Sequence, residues 1–168
     1  MKVNRVFTKG HAASKNPPAL PPSLSMEGYV PYQLALISSR LSRALETAYK
    51  STHELSRTEW RALALVAETS ECASAKLVER SGMDAVAVHR AVKHLESLGY
   101  ISRQSVAHDR RVKSLRITPE GWRVYQTIVP SALALEQRVL QSLSADEAKF
   151  FKSALNKLMS ETLSLAAD

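Results

Sequence analysis

Between Ser74 and Gly121 the chain reads as two short helices joined by a tight turn and followed at once by a basic β-hairpin, an order that leaves few folds open. In the first half of the unit, Ser74 to Met83, Leu77 and Val78 share one helical face, and Gly82 suits the tight turn between the helices. Asp84 then offers a carboxylate to the free amides of a second helix. In that helix Val88, Ala91, Val92, Leu95 and Leu98 repeat at helical spacing and can face a core. The opposite face carries Val86, His89, Arg90 and Lys93. Gly99 marks the stop, and two strand-like runs follow, Tyr100 to Val106 and Val112 to Ile117. They are joined by Ala107-His108-Asp109-Arg110-Arg111, with Leu115 and Ile117 available for the core. Such a unit suits the grooves of duplex DNA.

Charge supports that reading through its distribution more than its total. The net charge is +7, and residues 74 to 116 hold nine Lys/Arg against four Asp/Glu. The positive field therefore coincides with the groove-fitting motif, the electrostatic footprint expected of a DNA-binding surface. Other function classes lack a carrier. The chain shows no glycine-rich phosphate loop, no G-x-S-x-G elbow and no convincing carboxylate pair, so no enzyme is expected. No metal site or cofactor is expected either, because the histidines lack H-x-x-x-H spacing and Cys72 is the only cysteine. No apolar run reaches membrane-spanning length and the N-terminus lacks a secretory core, which points to a cytoplasmic protein without membrane contact.

The flanks divide into an arm and a set of long helices. Residues 1 to 28 contain Pro17, Pro18, Pro21 and Pro22 among small and polar residues and read as a flexible arm; its Lys2, Arg5, Lys9 and Lys15 can add non-specific phosphate attraction. Residues 29 to 168 read as one domain. Leu34, Ile37, Leu41, Leu45 and Ala48 mark an amphipathic helix over about 31–51. Ser56 and Glu59 form an S-x-x-E capping box flanked by Leu55 and Trp60, which predicts a helix to about Glu68. After the hairpin, Thr118-Pro119-Glu120-Gly121-Trp122 predicts a helix to about Gln141, and Ser144 with Glu147 repeats the capping box before Leu155, Leu158, Met159 and Leu163. The reading head thus spans about 56–118, with long helices over about 31–51 and 119–165. Their apolar stripes exceed what one small head can cover, so a homodimer is the economical solution, one that sets two heads into successive major grooves about 34 Å apart.

Three stretches carry a family resemblance. Arg57-Thr58-Glu59-Trp60-Arg61-Ala62-Leu63, Gly82-Met83-Asp84 through Val88-His89-Arg90-Ala91-Val92-Lys93-His94-Leu95-Glu96, and Asp109-Arg110-Arg111 through Ile117-Thr118-Pro119-Glu120-Gly121 are similar to the second helix, recognition helix and wing of the MarR family of winged-helix bacterial regulators. The resemblance covers roughly Tyr32 to Leu163, and the wing pattern D-x-R followed by [LI]-T-x-x-G is its most diagnostic part. It implies a mainly α fold with a small β wing, in which a winged helix-turn-helix head sits between N- and C-terminal dimerisation helices. It also implies a dimeric repressor released from a pseudo-palindromic operator by a small ligand. The chain departs from many relatives in carrying Ala87 and His89 where hydroxyl residues are common.

On this reading the expected DNA contacts are Ser74, Lys76, Val86, His89, Arg90, Lys93, Asp109, Arg110, Arg111 and Lys113. Arg90 suits a bidentate bond to guanine or a phosphate, and Val86 a thymine methyl or internal packing. Lys76 and Lys93 suit phosphates, and Arg110 or Arg111 the minor groove, with Asp109 holding Arg111. The resemblance places an effector between the long helices and the head, with Tyr32, Ser39, Arg40, Arg43, His53, Trp60 and Arg61 as candidate contacts. Two arginines suit a carboxylate and Trp60 an aromatic wall, so the expected effector is an aromatic acid or its coenzyme A thioester. Two other readings are a redox sensor using Cys72 and a winged helix that only docks proteins.

Overall fold

The computed structural model describes residues 23–69, 72–106 and 109–165, with the backbone path alone at 105–106, 109–113 and 164–165. Its elements, in chain order, are α1 (Val30–Tyr49), α2 (Arg57–Ala67), β1 (Cys72–Ala73), α3 (Ser74–Ser81), α4 (Ala85–Ser97), β2 (Ile101–Val106), β3 (Asp109–Ile117), α5 (Pro119–Leu140) and α6 (Ala145–Leu165). Among the described residues, 23–35 belong to one unit and those from Leu36 onward to a second. In the first, the Tyr29 amide donates to the Met26 carbonyl and the Gln33 side chain donates to the Glu27 carbonyl, which tie the turn before α1 to its first residues.

The starts of α2, α4, α5 and α6 each follow from one side chain, whereas α3 follows Ala73 without a side-chain cap. Ser56 accepts from the Glu59 amide at 3.3 Å while the Glu59 carboxylate accepts from the Ser56 amide at 2.7 Å, completing the capping box of α2. Asp84 Oδ1 accepts from the amides of Val86 and Ala87 at 2.9 and 3.0 Å and so starts α4. Ser144 and Glu147 repeat the reciprocal pair before α6. Between α3 and α4 the chain turns at Gly82, whose φ of 60° is the left-handed conformation that glycine enters without steric cost.

The core is the inner face of the head. Leu63 and Val66 of α2, Leu77 of α3, Val88, Ala91, Val92 and Leu95 of α4 and Leu115 of β3 are buried together, joined by Val124 and Ile128 of α5. Leu98 departs from the core expected of its spacing. It continues the helical spacing of the buried residues but lies just past α4, at the C-cap, and is 39% exposed, because the chain turns away at Gly99 (φ 72°). The hairpin is longer than its sequence suggests, with β3 beginning at Asp109 and an irregular register after Ser105. A further strand, β1, pairs Cys72 with Leu115 and Ala73 with Ser114, making a three-stranded antiparallel sheet in the order β1-β3-β2.

The hairpin meets α5 at a tight junction. Thr118 Oγ1 lies 2.6 Å from the Gly99 carbonyl oxygen and 3.1 Å from that of Tyr100, the Thr118 amide donates to Tyr100 O, and the Gly121 amide donates to Thr118 Oγ1. A Cβ on Gly121 would stand 2.0 Å from the Tyr100 carbonyl oxygen. Backbone there has no room to retreat, so Gly121→Ala is expected to destabilise the fold by about 3 kcal/mol or more, measured by urea unfolding. A cost within about 0.5 kcal/mol would show that the junction opens freely.

Candidate nucleic-acid interface

Burial of one side of α4 fixes what the other side offers. Val86, His89, Arg90 and Lys93 are all exposed, and their spacing puts them in one stripe along the helix. Val86 is at the N-terminal end and Lys93 two turns along. Ser74, half-buried, opens α3, and Lys76 is exposed on its first turn. The structure therefore assembles an apolar tip, an imidazole and two cations on one accessible face. Asp109, Arg110, Arg111 and Lys113 belong to β3, whose backbone is placed, but their side chains lie outside the described residues, as does the expected Asp109–Arg111 bond.

The stripe is braced from behind by charged pairs. His94 Nδ1 lies 2.7 Å from Glu59 Oε1, tying α4 to the capping residue of α2. Arg103 Nε donates to Glu96 Oε1 at 2.8 Å, tying β2 to the same helix. Arg80 and Glu68 pair between α3 and α2. Partly exposed pairs of this kind add little stability singly; the first two join α4 to α2 and to β2, and the third joins α3 to the C-cap of α2. Burial pushes the Glu59 carboxyl up, but its hydrogen bonds to Ser56 and His94 outweigh that and hold it below the usual carboxylate range.

Of the residues expected to meet an effector, the structure gathers some and scatters others. Trp60 is half-buried, stacked on Tyr125 of α5 at 5.8 Å between ring centroids and tilted against Tyr49 at 6.1 Å; Trp122 meets Tyr125 edge-on at 5.4 Å. Tyr49 is 2% exposed, and burial, reinforced by Glu46 and Glu59 against Arg57, pushes its hydroxyl up to about 12. The Tyr49 hydroxyl and His53 Nε2 are buried without a hydrogen-bond partner among the described residues. Arg40, Arg43 and Arg61 are exposed, and Ser39 is half-buried. Tyr32, in the first unit, is exposed. Tyr49 and Tyr125 were missed as neighbours of Trp60. Tyr49 was legible, lying four residues after Leu45 on the apolar face of α1; Tyr125 was not, because α5 comes to Trp60 only through the tertiary fold. Among the described residues no group of His, Cys, Asp and Glu is placed to hold a metal ion, and no helix is long and apolar enough to cross a membrane.

Comparison with known proteins agrees with this geometry. A model of the MarR family matches residues 53–112. The chain is 23% identical over 134 residues to the uncharacterised HTH-type transcriptional regulator YdgJ of Bacillus subtilis, covering 80% of this chain and 79% of that protein. The crystal structure of a MarR-family transcriptional regulator from Silicibacter pomeroyi superposes with a TM-score of 0.71 at 26% identity, over 82% of this chain and 92% of the other. Bordetella bronchiseptica BpsR, solved in a study of how 6-hydroxynicotinic acid regulates its DNA binding, shares the fold at 17% identity, with a TM-score of 0.71 over 82% and 98% of the two chains.

The Glu59 brace generates a pH signature. A carboxylate whose folded-state pKa lies below its unfolded value contributes stability that is present above the unfolded value and lost as pH falls through the folded one. Glu59→Gln is expected to cost about 1 kcal/mol near neutral pH, and the gap from wild type should close as pH falls through the carboxylate range, read by urea unfolding across a pH series. A gap independent of pH would show that the Glu59 charge contributes nothing.

Proposed function

Because the chain belongs to the MarR family of winged-helix transcriptional regulators, which bind DNA, we propose that it is a dimeric repressor released from a pseudo-palindromic operator by a small aromatic acid or its coenzyme A thioester. The observation that carries the DNA-reading half is the exposed Val86-His89-Arg90-Lys93 stripe, with β2 and β3 hydrogen-bonded beside it as the wing. Arg90 offers a fork to guanine or phosphate, Lys76 and Lys93 neutralise backbone charge, and Arg110 or Arg111 enters the minor groove. The basic arm adds phosphate attraction; the arm before residue 23 lies outside the described residues.

The terminal helices support dimerisation. Phe150, Phe151, Leu158, Met159 and Leu163 of α6 are exposed, Phe150 at 75%, as are Leu133 and Val139 of α5 and Ile37 of α1. Apolar surface on this scale marks an interface, and a second copy covers it by the symmetry that a palindromic operator requires. Leu158→Glu combined with Leu163→Glu is expected to give monomers in sedimentation equilibrium and to weaken operator binding at least about tenfold, since the two heads then bind independently. Monomers that keep full affinity would contradict the paired-head reading.

An effector is supported by the aromatic wall of Trp60, Tyr49 and Tyr125 and by two buried polar atoms, the Tyr49 hydroxyl and His53 Nε2, that lack protein partners among the described residues. A phenolic or carboxyl group satisfies such atoms while its ring packs on the wall. A ligand releases DNA only if it binds the DNA-incompetent state more tightly. Titration with aromatic acids and their thioesters is expected to quench tryptophan fluorescence and weaken operator binding over one concentration range; no change in either removes this effector class. The redox reading is weaker, because Cys72 is buried and that burial pushes its thiol up, against thiolate formation.

A further inference from the structure

We infer that Val86 is a specificity-determining residue that reads the 5-methyl group of a thymine, one in each operator half-site, an inference that rests on the α4 stripe meeting DNA. The stripe runs from Val86 to Lys93, and its chemistry is graded. Lys93 and Arg90 suit the phosphates and guanine edges reached from the middle of a recognition helix, whereas base contacts deepest in the groove come from its N-terminal residues. Val86, the second residue of α4, stands at that tip and is 59% exposed, so internal packing does not account for it. The other valines of α4, Val88 and Val92, are each only 2% exposed.

Two neighbours sharpen the assignment. The Asp84 carboxylate already accepts from the amides of Val86 and Ala87, so this helix start cannot take a phosphate in the usual way and repels one instead. What the tip offers instead is the apolar side chain of Val86. Ala85 is exposed and small, which lets the first turn approach base edges closely. In the major groove the thymine methyl is the most prominent apolar group on the base edges, and a branched aliphatic side chain packs on it without leaving a donor or acceptor unmet. A cytosine in its place presents an amino donor that Val86 leaves unpaired.

The test uses the full chain and a duplex that wild type selects from a random library. Each thymine is replaced in turn by uracil, which keeps the pairing and removes only the methyl group. Wild type is expected to lose about three- to tenfold in affinity at one thymine per half-site and little elsewhere. Val86→Ala, an exposed change to the best helix former, is expected to fold normally and to show a smaller uracil penalty at that position than wild type. A uracil penalty at no thymine, or one that persists unchanged in Val86→Ala, overturns the inference while leaving DNA binding intact. Failure of wild type to retain any sequence from the library would remove the DNA-reading premise as well.

Discussion

The junction of Gly99, Tyr100, Thr118 and Gly121 is the constraint on which the rest of the head depends. Within it the chain ends α4, begins β2, leaves β3 and starts α5, so one set of hydrogen bonds fixes recognition helix, wing and long helix together. Thr118 caps α5 through the Gly121 amide while its hydroxyl and amide reach back to Gly99 and Tyr100. Gly121 is the place where α5 touches the backbone leaving α4, closely enough that even a methyl group is excluded. The [LI]-T-x-x-G pattern of the wing thus has a steric cause. The end of α4 and the start of α5 therefore meet through this single junction.

From this junction the surface chemistry follows by subtraction. The core takes Val88, Ala91, Val92 and Leu95, which leaves Val86, His89, Arg90 and Lys93 for solvent or DNA. The braces Glu59–His94 and Arg103–Glu96 then join α4 to α2 and to β2. Trp60 adds the reverse connection. It follows the capping residue of α2 and stacks on Tyr125 of α5, so the same short helix touches both the recognition helix and the long one.

Where a single side chain decides local structure, the sequence was sufficient. Ser56, Asp84, Thr118 and Ser144 start their helices as their hydroxyl or carboxylate chemistry requires, and Gly82 and Gly99 turn the chain with positive φ. Periodicity failed where it ran past a stop, placing Leu98 inside when the helix had already ended. The strand of Cys72 and Ala73 was hidden because two residues show no alternation; it exists only because β3 has an edge to offer. Among effector candidates, Trp60 and His53 came from the family resemblance together with residue type, and Tyr49 lies on the apolar spacing of α1, but the approach of Tyr125 to Trp60 needed the tertiary fold. The exposed positions of Arg40, Arg43 and Arg61 show that charge type alone does not say whether a cation faces a pocket.

On the proposed reading, the α4 stripe enters the major groove with the wing beside it, twice per operator. Dimethyl sulfate footprinting of the full chain on its selected duplex tests this most directly, because it reports guanine N7 in the major groove. Two protected patches centred about 34 Å apart, one helical turn, with no protection of the major groove between them, are the predicted result. A single patch, or binding that leaves every guanine N7 reactive, would contradict the account.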